Sequence, residues 1–338
     1  MQCYGFSSAA SIWLQNYLIN RRQTVFFNGS LSEEKTVCCG IPQGSCLGPL
    51  LFSIYINDLP LVLRKAKIAM YADDSTIYSS QSTVQELENV LMEELKPVIE
   101  WVTNNKLVLN ISQTKSILFG TRYMLLNEPR LNIVVKDINV AQVQETKLLG
   151  IEVDNKLSWS SHIKAVVRRM GRGLSMVRRC SNMLPFNMTA DVIKTVVLSQ
   201  LDYCDALLAG CPASSINKLQ LVQNAAARVL TRSRKYDHIT SILSSLHWLP
   251  IKFRINYKVL LMTYKALNGL APGYRSLRSL NSRILVIPRI SKTTKGGRAF
   301  SHLAPKLWNG LPDIVRGSDS LSQFKTRLKT HLFSQAFT

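Results

Sequence analysis

The chain has 338 residues, of which 46% are hydrophobic and 19% are charged. This composition is typical of a folded protein with a substantial core and excludes a disordered chain. No apolar run reaches the roughly 18 residues of a membrane span, and no basic-then-apolar leader opens the chain. We therefore expect an intracellular protein, cytoplasmic or nuclear, that is not secreted and has no membrane partner. Seven cysteines without a Cys-x-x-Cys pair indicate reduced thiols and no zinc site.

The positive charge lies in the second half of the chain. Residues 1–160 contain 14 Lys/Arg against 15 Asp/Glu, whereas residues 161–338 contain 28 Lys/Arg against 6 Asp/Glu. An excess of this size indicates a polyanionic partner, for which nucleic acid is the usual candidate. A solubilising surface is the alternative reading.

The first 65 residues alternate between predicted helices and a hairpin. Helical spacing of apolar residues predicts a helix over Ser7–Asn20, with Ser7 or Ser8 as its cap. Residues 23–27 and 34–38 predict a β-hairpin around the turn Asn28–Gly29. Three interrupting residues make 40–45 a loop, and Pro49 in a first turn predicts a helix from Gly48 to Leu63.

Two adjacent carboxylates interrupt the apolar stretch Lys67–Tyr78. Neighbouring side chains of a straight strand point to opposite faces, so Asp73 and Asp74 serve one site best at the tip of a hairpin. A divalent cation would relieve their mutual repulsion, and Mg²⁺ prefers a few carboxylates plus substrate phosphates. The alternative is a surface turn, in which Asp is common.

Beyond this hairpin the pattern becomes mainly helical. A capping box of Thr83 and Glu86 opens a predicted helix that ends at Asn104. Lys106–Asn110 and Ser116–Phe119 predict strands. After residue 160 we expect helices over 164–183, 190–208, 216–230 and 242–270, the last broken at a proline. Asp202 and Asp205 lie three residues apart in the second of these helices, and we expect capping or pairing with arginine rather than cation binding.

Motifs at two places carry a resemblance to a known family. Gly40-Ile-Pro-Gln-Gly-Ser45 with Leu47-Gly-Pro-Leu-Leu-Phe52, followed by Tyr71-Ala-Asp-Asp74, resembles motifs B and C of reverse transcriptases. The similarity is to the LINE-type non-LTR retrotransposons. It is strong over residues 40–120 and looser beyond residue 160.

The resemblance implies roles for individual residues. Asp73 and Asp74 would be catalytic and would bind two Mg²⁺ ions. Lys115, in a stretch that resembles motif D, would lie near the incoming triphosphate, although an ordinary turn lysine is the alternative. Lys147–Asp154 resembles the segment that grips the primer, and Leu149 and Gly150 lie in that region. Leu148, Leu149 and Ile151 are interpreted as core residues, so only the Gly150 backbone would approach a nucleic-acid strand. The residues implied in nucleotide or template binding are Pro42, Gln43, Gly44 and Tyr71. The basic residues expected to contact nucleic acid are Arg168, Arg169, Arg172, Arg178, Arg179, Arg232, Arg234 and Lys235.

The resulting expectation is an α+β protein. A partial polymerase palm, an antiparallel sheet with packed helices, would occupy residues 1–160, a helical basic thumb-like region 161–270, and a basic linker with a helical tail 271–338. Its partners would be an RNA template, a DNA primer and deoxynucleoside triphosphates; the oligomeric state stays unknown.

The family's third metal-binding carboxylate belongs to motif A, upstream of motif B. No acidic residue precedes Glu33, so we expect a chain truncated before motif A, weak Mg²⁺ binding and little or no polymerase activity by this chain alone. Three readings stay open: an RNA-directed DNA polymerase, a non-catalytic nucleic-acid-binding remnant, and a genomic remnant without a selected role.

Overall fold

The computed structural model describes residues 5–42, 44–126, 129–270, 284–290 and 296–338. Its chain forms two compact units. The first contains residues up to Ser116 together with Asn127–Gln142, and the second contains Ile117–Leu126 together with Val143–Thr338. Helices and small sheets are both present, as the α+β prediction requires. Within the described ranges, no helix combines the length and the apolar character needed to span a membrane.

The first unit opens with a capped helix and a hairpin. Helix α1 covers Ser8–Leu18, and the Ser7 hydroxyl accepts a hydrogen bond from the Ala10 amide. The four strands that follow are β1 (Arg21–Gln23), β2 (Phe26–Phe27), β3 (Ser30–Leu31) and β4 (Lys35–Val37). β2 pairs with β3 and β1 with β4, both antiparallel, around a turn in which Asn28 and Gly29 have positive φ. The helix and the hairpin predicted here are confirmed.

The helix predicted over Gly48–Leu63 is shorter than expected. Helix α2 covers Gly48–Ile56, and a separate 3₁₀ turn covers Leu59–Val62. Pro60 has no amide hydrogen to donate to the Ile56 carbonyl, and it disfavours a helical conformation in the residue before it. The predicted continuation to Leu63 was therefore wrong.

A hairpin and a long helix complete the core of the first unit. β5 (Lys67–Tyr71) pairs with β6 (Asp74–Tyr78), and α3 covers Val84–Asn104. Both bonds of the predicted capping box form between Thr83 and Glu86. The inner face of the hairpin, the end of α2 and the second half of α3 share one apolar cluster.

The strands predicted after α3 were wrong in extent. Lys106–Asn110 is not a strand, and of Ser116–Phe119 only Ser116 is in one. β7 (Lys115–Ser116) pairs in parallel with β10 (Ala141–Gln142), and β8 (Val134–Val135) pairs with β9 (Ile138–Asn139). Residues 106–110 alternate as in a strand, with Val108 91% exposed and Leu107 and Leu109 partly buried. Within the described residues, however, this segment does not pair with a neighbouring strand.

The second unit begins with a hairpin and a basic helix. β11 (Glu145–Leu148) pairs with β12 (Ile151–Asp154), and α4 covers Ser160–Cys180 rather than the predicted 164–183. The buried residues of α4 recur at helical spacing and face the main core of this unit. Those with apolar side chains in this core are Ile163, Val166, Met170, Leu174 and Val177.

The predicted helix over 190–208 is divided. α5 covers Phe186–Val192, a π-helical stretch covers Ile193–Leu198, α6 covers Ser199–Asp202, and a 3₁₀ turn covers Asp205–Leu208. The break falls at the polar interruption seen in the sequence, where Cys204 has a φ of 56°. The next helices are α7 (Ala213–Thr231), α8 (Ile239–Ser245) and α9 (Ile251–Leu267).

The C-terminal helices pack on α9. They are α10 (Phe300–Asn309), α11 (Asp313–Arg316) and α12 (Leu321–Phe337). The apolar face of α12 is buried, and Phe324 stacks on Tyr264 with the ring centroids 4.2 Å apart. Each of these large side chains contributes about 1.5–3 kcal/mol by leaving water.

Candidate active site

The acidic pair lies at the tip of the β5–β6 hairpin. Tyr71 pairs with Asp74 across the strands, so Ala72 and Asp73 form a two-residue turn. Ala72 has a φ of 51°, a left-handed backbone that side-chain-bearing residues adopt at a cost. Asp73, Asp74 and Tyr71 are all exposed. The tip therefore presents two carboxylates and one aromatic ring to solvent, and the predicted placement of the acids is confirmed.

The inner face of the hairpin anchors this tip. Ile68 lies opposite Ile77, and both pack with Met70 against the cluster that contains Trp101 and Val98. Because alternate residues point to opposite faces, the residues of the outer face stay free for contacts. The hairpin is thus a supported platform with an acidic tip.

A buried carboxylate that sequence reasoning missed holds the entry to the hairpin. Glu94 is 4% exposed, and its Oε2 accepts hydrogen bonds from the amides of Arg64 at 2.8 Å and Ala66 at 3.2 Å. Burial alone would raise the pKa of Glu94, but the backbone N–H groups around Lys65 outweigh it and lower the pKa. Glu94 therefore fixes the three residues that lead directly into β5. The sequence signal for this role of Glu94 was a charged residue on the otherwise apolar face of a predicted helix.

The motif at 40–45 forms a tight loop before α2. Gly40 and Gly44 have φ values of 75° and 79°, which glycine adopts without strain. The Arg21 guanidinium donates to the Gly40 carbonyl at 2.5 Å, and the Ser45 amide donates to the Pro42 carbonyl at 3.3 Å. Pro42 is half-buried and Gly44 is exposed, while Gln43 lies outside the described residues. The loop leads into α2, and α2 packs in the same apolar cluster as the hairpin that carries the acidic tip.

Lys115 belongs to the same unit as the acidic tip. It is exposed in β7, with its backbone paired to Ala141. The turn before it is closed by Asn110, whose side chain accepts from the Ser112 hydroxyl and the Gln113 amide. Lys115 thus presents an exposed ammonium group, and its predicted role near a triphosphate stays a prediction.

The segment predicted to grip a primer is the tip of the β11–β12 hairpin, in the second unit. Leu149 and Gly150 form its turn with φ values of 46° and 82°. Leu148 and Leu149 are 38% and 40% exposed, so their interpretation as core residues was wrong; Ile151 is buried as expected. Leu149 belongs to the turn, so the alternation of strand residues between two faces, which buries Ile151, does not extend to it.

Tyr203 secures this second tip, and sequence reasoning missed it. Its hydroxyl donates to the Leu149 carbonyl at 2.6 Å, and its ring lies 3.5 Å from where a Cβ on Gly150 would stand. Asp154, at the other end of the hairpin, accepts from the amides of Ser158 and Trp159 at the entry to α4. Burial opposes ionisation of Asp154, but these hydrogen bonds lower its pKa.

The predicted basic residues form an exposed surface of α4 and of the segment after α7. The spacing of Lys164, Arg168, Arg172 and Arg179 places them on one face of the helix, and none of them pairs with an acid within the described part of the chain. Arg169 is half-buried, and Arg178 is exposed. Beyond α7, the exposed residues are Arg232, Arg234 and Lys235. The Arg232 guanidinium donates to the Ser181 carbonyl at 3.3 Å, next to the end of α4.

Comparison with known proteins identifies the first half of the chain. Residues 1–153 match the sequence model of the family described as reverse transcriptase (RNA-dependent DNA polymerase). Residues 1–153 belong to the reverse transcriptase family. The resemblance found in the motifs is thereby confirmed, and no solved structure matches the chain.

The relatives of this reverse transcriptase domain come from insect transposons. The chain is 29% identical over 254 residues to a protein of Drosophila melanogaster named probable RNA-directed DNA polymerase from transposon BS, covering 72% of this chain and 28% of the relative. It is 25% identical over 233 residues to the RNA-directed DNA polymerase from mobile element jockey, also of D. melanogaster, covering 66% and 25%. A third relative is the Nasonia vitripennis Pol polyprotein of the type-1 retrotransposable element R1 2, at 25% identity over 49% of this chain and 42% of the relative.

These alignments place the reverse transcriptase domain in the LINE-type non-LTR retrotransposon group. The first of them covers more of the chain than residues 1–153 contain, so the similarity continues into the helical second unit. The chain spans about a quarter of the length of the two Drosophila relatives.

The carboxylates of the reverse transcriptase domain fit a divalent cation in part. Mg²⁺ takes oxygen ligands and is commonly bound by one or two carboxylates with substrate phosphates, which the exposed Asp73 and Asp74 match. Within the described ranges, no group of three or more His, Cys, Asp and Glu side chains is placed to hold a metal ion. The tip therefore presents two exposed carboxylates, without a third acidic, histidine or cysteine ligand grouped with them among the described residues.

Proposed function

We propose that residues 1–160 supply the part of a polymerase palm that binds metal and nucleotide in RNA-directed DNA synthesis, and that the helical region beyond it is the thumb. The observation that carries this proposal is the acidic tip Asp73–Asp74, supported on a buried face within a reverse transcriptase domain. Divalent ions bound there would activate the primer hydroxyl and neutralise the triphosphate.

The residues around the tip have complementary tasks in this proposal. Asp73 and Asp74 hold the metal-binding oxygens at a rigid turn, so that little reorganisation accompanies binding. Tyr71 presents an aromatic surface beside them for a base or sugar. The backbone of Pro42–Gly44 lets a nucleotide or template base approach closely, because Gly44 carries no side chain. Lys115 neutralises phosphate charge or protonates the leaving pyrophosphate.

With two carboxylates, we expect weak Mg²⁺ binding and little or no extension by this chain alone. The test combines primer extension on an RNA template with Mn²⁺-induced broadening of NMR signals from the β5–β6 hairpin. Asp73→Asn should abolish broadening at the tip and any extension. The matched control is Asp137→Asn, an exposed turn aspartate of the same unit, which should change neither. Equal broadening in wild type and Asp73→Asn would contradict the proposal.

A second candidate function is non-catalytic binding of nucleic acid. The unpaired basic face of α4 favours it, because exposed Arg and Lys bind phosphates and release counterions. Replacing Arg168, Arg172 and Arg179 with Ser should weaken binding to RNA and reduce the slope of log K against log salt by roughly 2–3 units. Asp73→Asn should leave this binding unchanged. A salt slope that stays the same in the triple variant would exclude α4 as the contact surface.

A further inference from the structure

A cavity in the second unit is lined by none of the residues that were predicted to form the polymerase site. It has a volume of about 510 Å³, within the range of small-molecule sites. Its walls come from the π-helical stretch, the end of α6, the 3₁₀ turn after it, the connection between α8 and α9, α9 itself and α12. Six consecutive or distant segments of the chain therefore converge on one space.

The cavity contains a buried acid with one unpaired oxygen. Asp205 is 3% exposed, and within the described part of the chain its Oδ1 accepts no hydrogen bond. Burial raises the pKa of Asp205 to about 7, and the negative charge of Asp202 adds to this effect. The positive charges of Lys258 and Arg254 and a hydrogen bond from the Ala206 amide oppose it. A buried carboxyl oxygen without a donor costs folding free energy, and groups with a strongly shifted pKa in a cleft are concentrated at functional sites.

A metal ion does not fit this carboxyl. The neighbouring Asp202 is already paired with the Arg254 guanidinium, and within the described ranges no third ligand completes a metal-binding group. Lys258 also lines the cavity, and its charge would repel a cation. The ligand that satisfies Asp205 must therefore donate hydrogen bonds without being a small cation.

The lysines that line the cavity attract an anion. Lys194 pairs with Asp191 at 3.1 Å, whereas Lys258 and Lys329 form no salt bridge with an acid in the described part of the chain. Two ammonium groups without a salt-bridge partner in one lining favour a phosphate, and each ammonium binds it as a point charge.

The remaining wall is mainly apolar and aromatic, and consists of Trp248, Tyr257, Leu198, Leu249 and His247. Unpaired bases are recognised by such walls together with hydrogen bonds to their Watson–Crick edge. Guanine is the base whose edge carries two adjacent N–H donors, at N1 and N2, which match the two oxygens of one carboxylate.

We propose that this cavity binds an unpaired guanine nucleotide of a single strand, with the Asp205 carboxylate accepting from the base and Lys258 and Lys329 contacting its phosphates. Binding of this nucleotide does not require polymerase activity. A negative result for this site would therefore leave the proposed polymerase function untouched, and a negative result for polymerase activity would leave this proposal untouched.

The test measures binding of the whole chain to fluorescent seven-nucleotide strands by anisotropy. The strands are U7, U3GU3 and U3IU3, in which inosine lacks only the 2-amino group, and the corresponding DNA strands with T in place of U. We expect U3GU3 to bind roughly tenfold more tightly than U7, the value of one good bidentate base contact, and U3IU3 to lie between them. The preference should occur in RNA and DNA alike, because the contacts are to base and phosphate.

Two variants separate base recognition from charge. Asp205→Asn should remove the preference for guanine, and its circular dichroism spectrum would report that the fold is retained. Asp313→Asn, an exposed aspartate of the same unit outside the cavity, should keep the preference. Lys258→Gln should weaken all strands equally. Equal affinity of wild type for U7 and U3GU3, or a guanine preference that survives in Asp205→Asn, would overturn the proposal.

Discussion

Removal of the Glu94 carboxylate should destabilise the first unit far more than removal of its neighbour Glu93. In Glu94→Ala the part-buried amide of Arg64 and the buried amide of Ala66 lose their acceptor, and each group left unsatisfied costs about 1–3 kcal/mol. The sum is about 2–6 kcal/mol. Glu93 is exposed and pairs with Lys65 at 2.7 Å, an interaction worth about 0–1 kcal/mol. Both variants make the same change in helix propensity within α3, so the difference between their losses of stability reports the burial of Glu94.

Hydrogen exchange measured by mass spectrometry on peptides of α3 gives the free energy of local opening for this unit alone. We expect the opening free energy to fall by about 2–6 kcal/mol in Glu94→Ala and by less than about 1 kcal/mol in Glu93→Ala. The folded pKa of Glu94 is lowered, so its stabilisation is present above the unfolded pKa and is lost as the pH falls through the folded pKa. Equal effects of the two variants at pH 7 would refute the reasoning.

Two further predictions concern the second unit. Burial raises the pKa of Asp205 to about 7. As the pH rises, the unfolded state therefore loses this proton before the folded state does, and the free energy of unfolding should fall between about pH 4 and pH 7. Urea titrations at pH 5 and pH 8 should show this decrease in wild type but not in Asp205→Asn, and a pH dependence that is unchanged in the variant would contradict the prediction. Gly150→Ala should destabilise the β11–β12 hairpin by about 1 kcal/mol, because residue 150 has a φ of 82°; the added Cβ does not clash with Tyr203. Faster hydrogen exchange of the Leu148 and Ile151 amides would show this loss of stability, and rates equal to wild type would exclude strain at this turn.

Features that depend on a few consecutive residues were determined by the sequence. The capping box of Thr83 and Glu86, the turn at Asn28–Gly29 and the placement of Asp73 at a hairpin tip all follow from local hydrogen bonds and turn preferences. The family also followed from short motifs, because the backbone turns and acids that they encode lie within one loop or one hairpin.

Features that depend on distant partners were decided by the tertiary structure. Lys106–Asn110 has the alternation of a strand but no neighbour to pair with, and the exposure of Leu149 depends on its place in a turn. The acceptor role of Glu94 spans 30 residues of sequence, and the bond from Tyr203 to Leu149 spans 54. Burial and pairing of this kind arise only when separate elements meet, since no local preference encodes which residue will lie opposite.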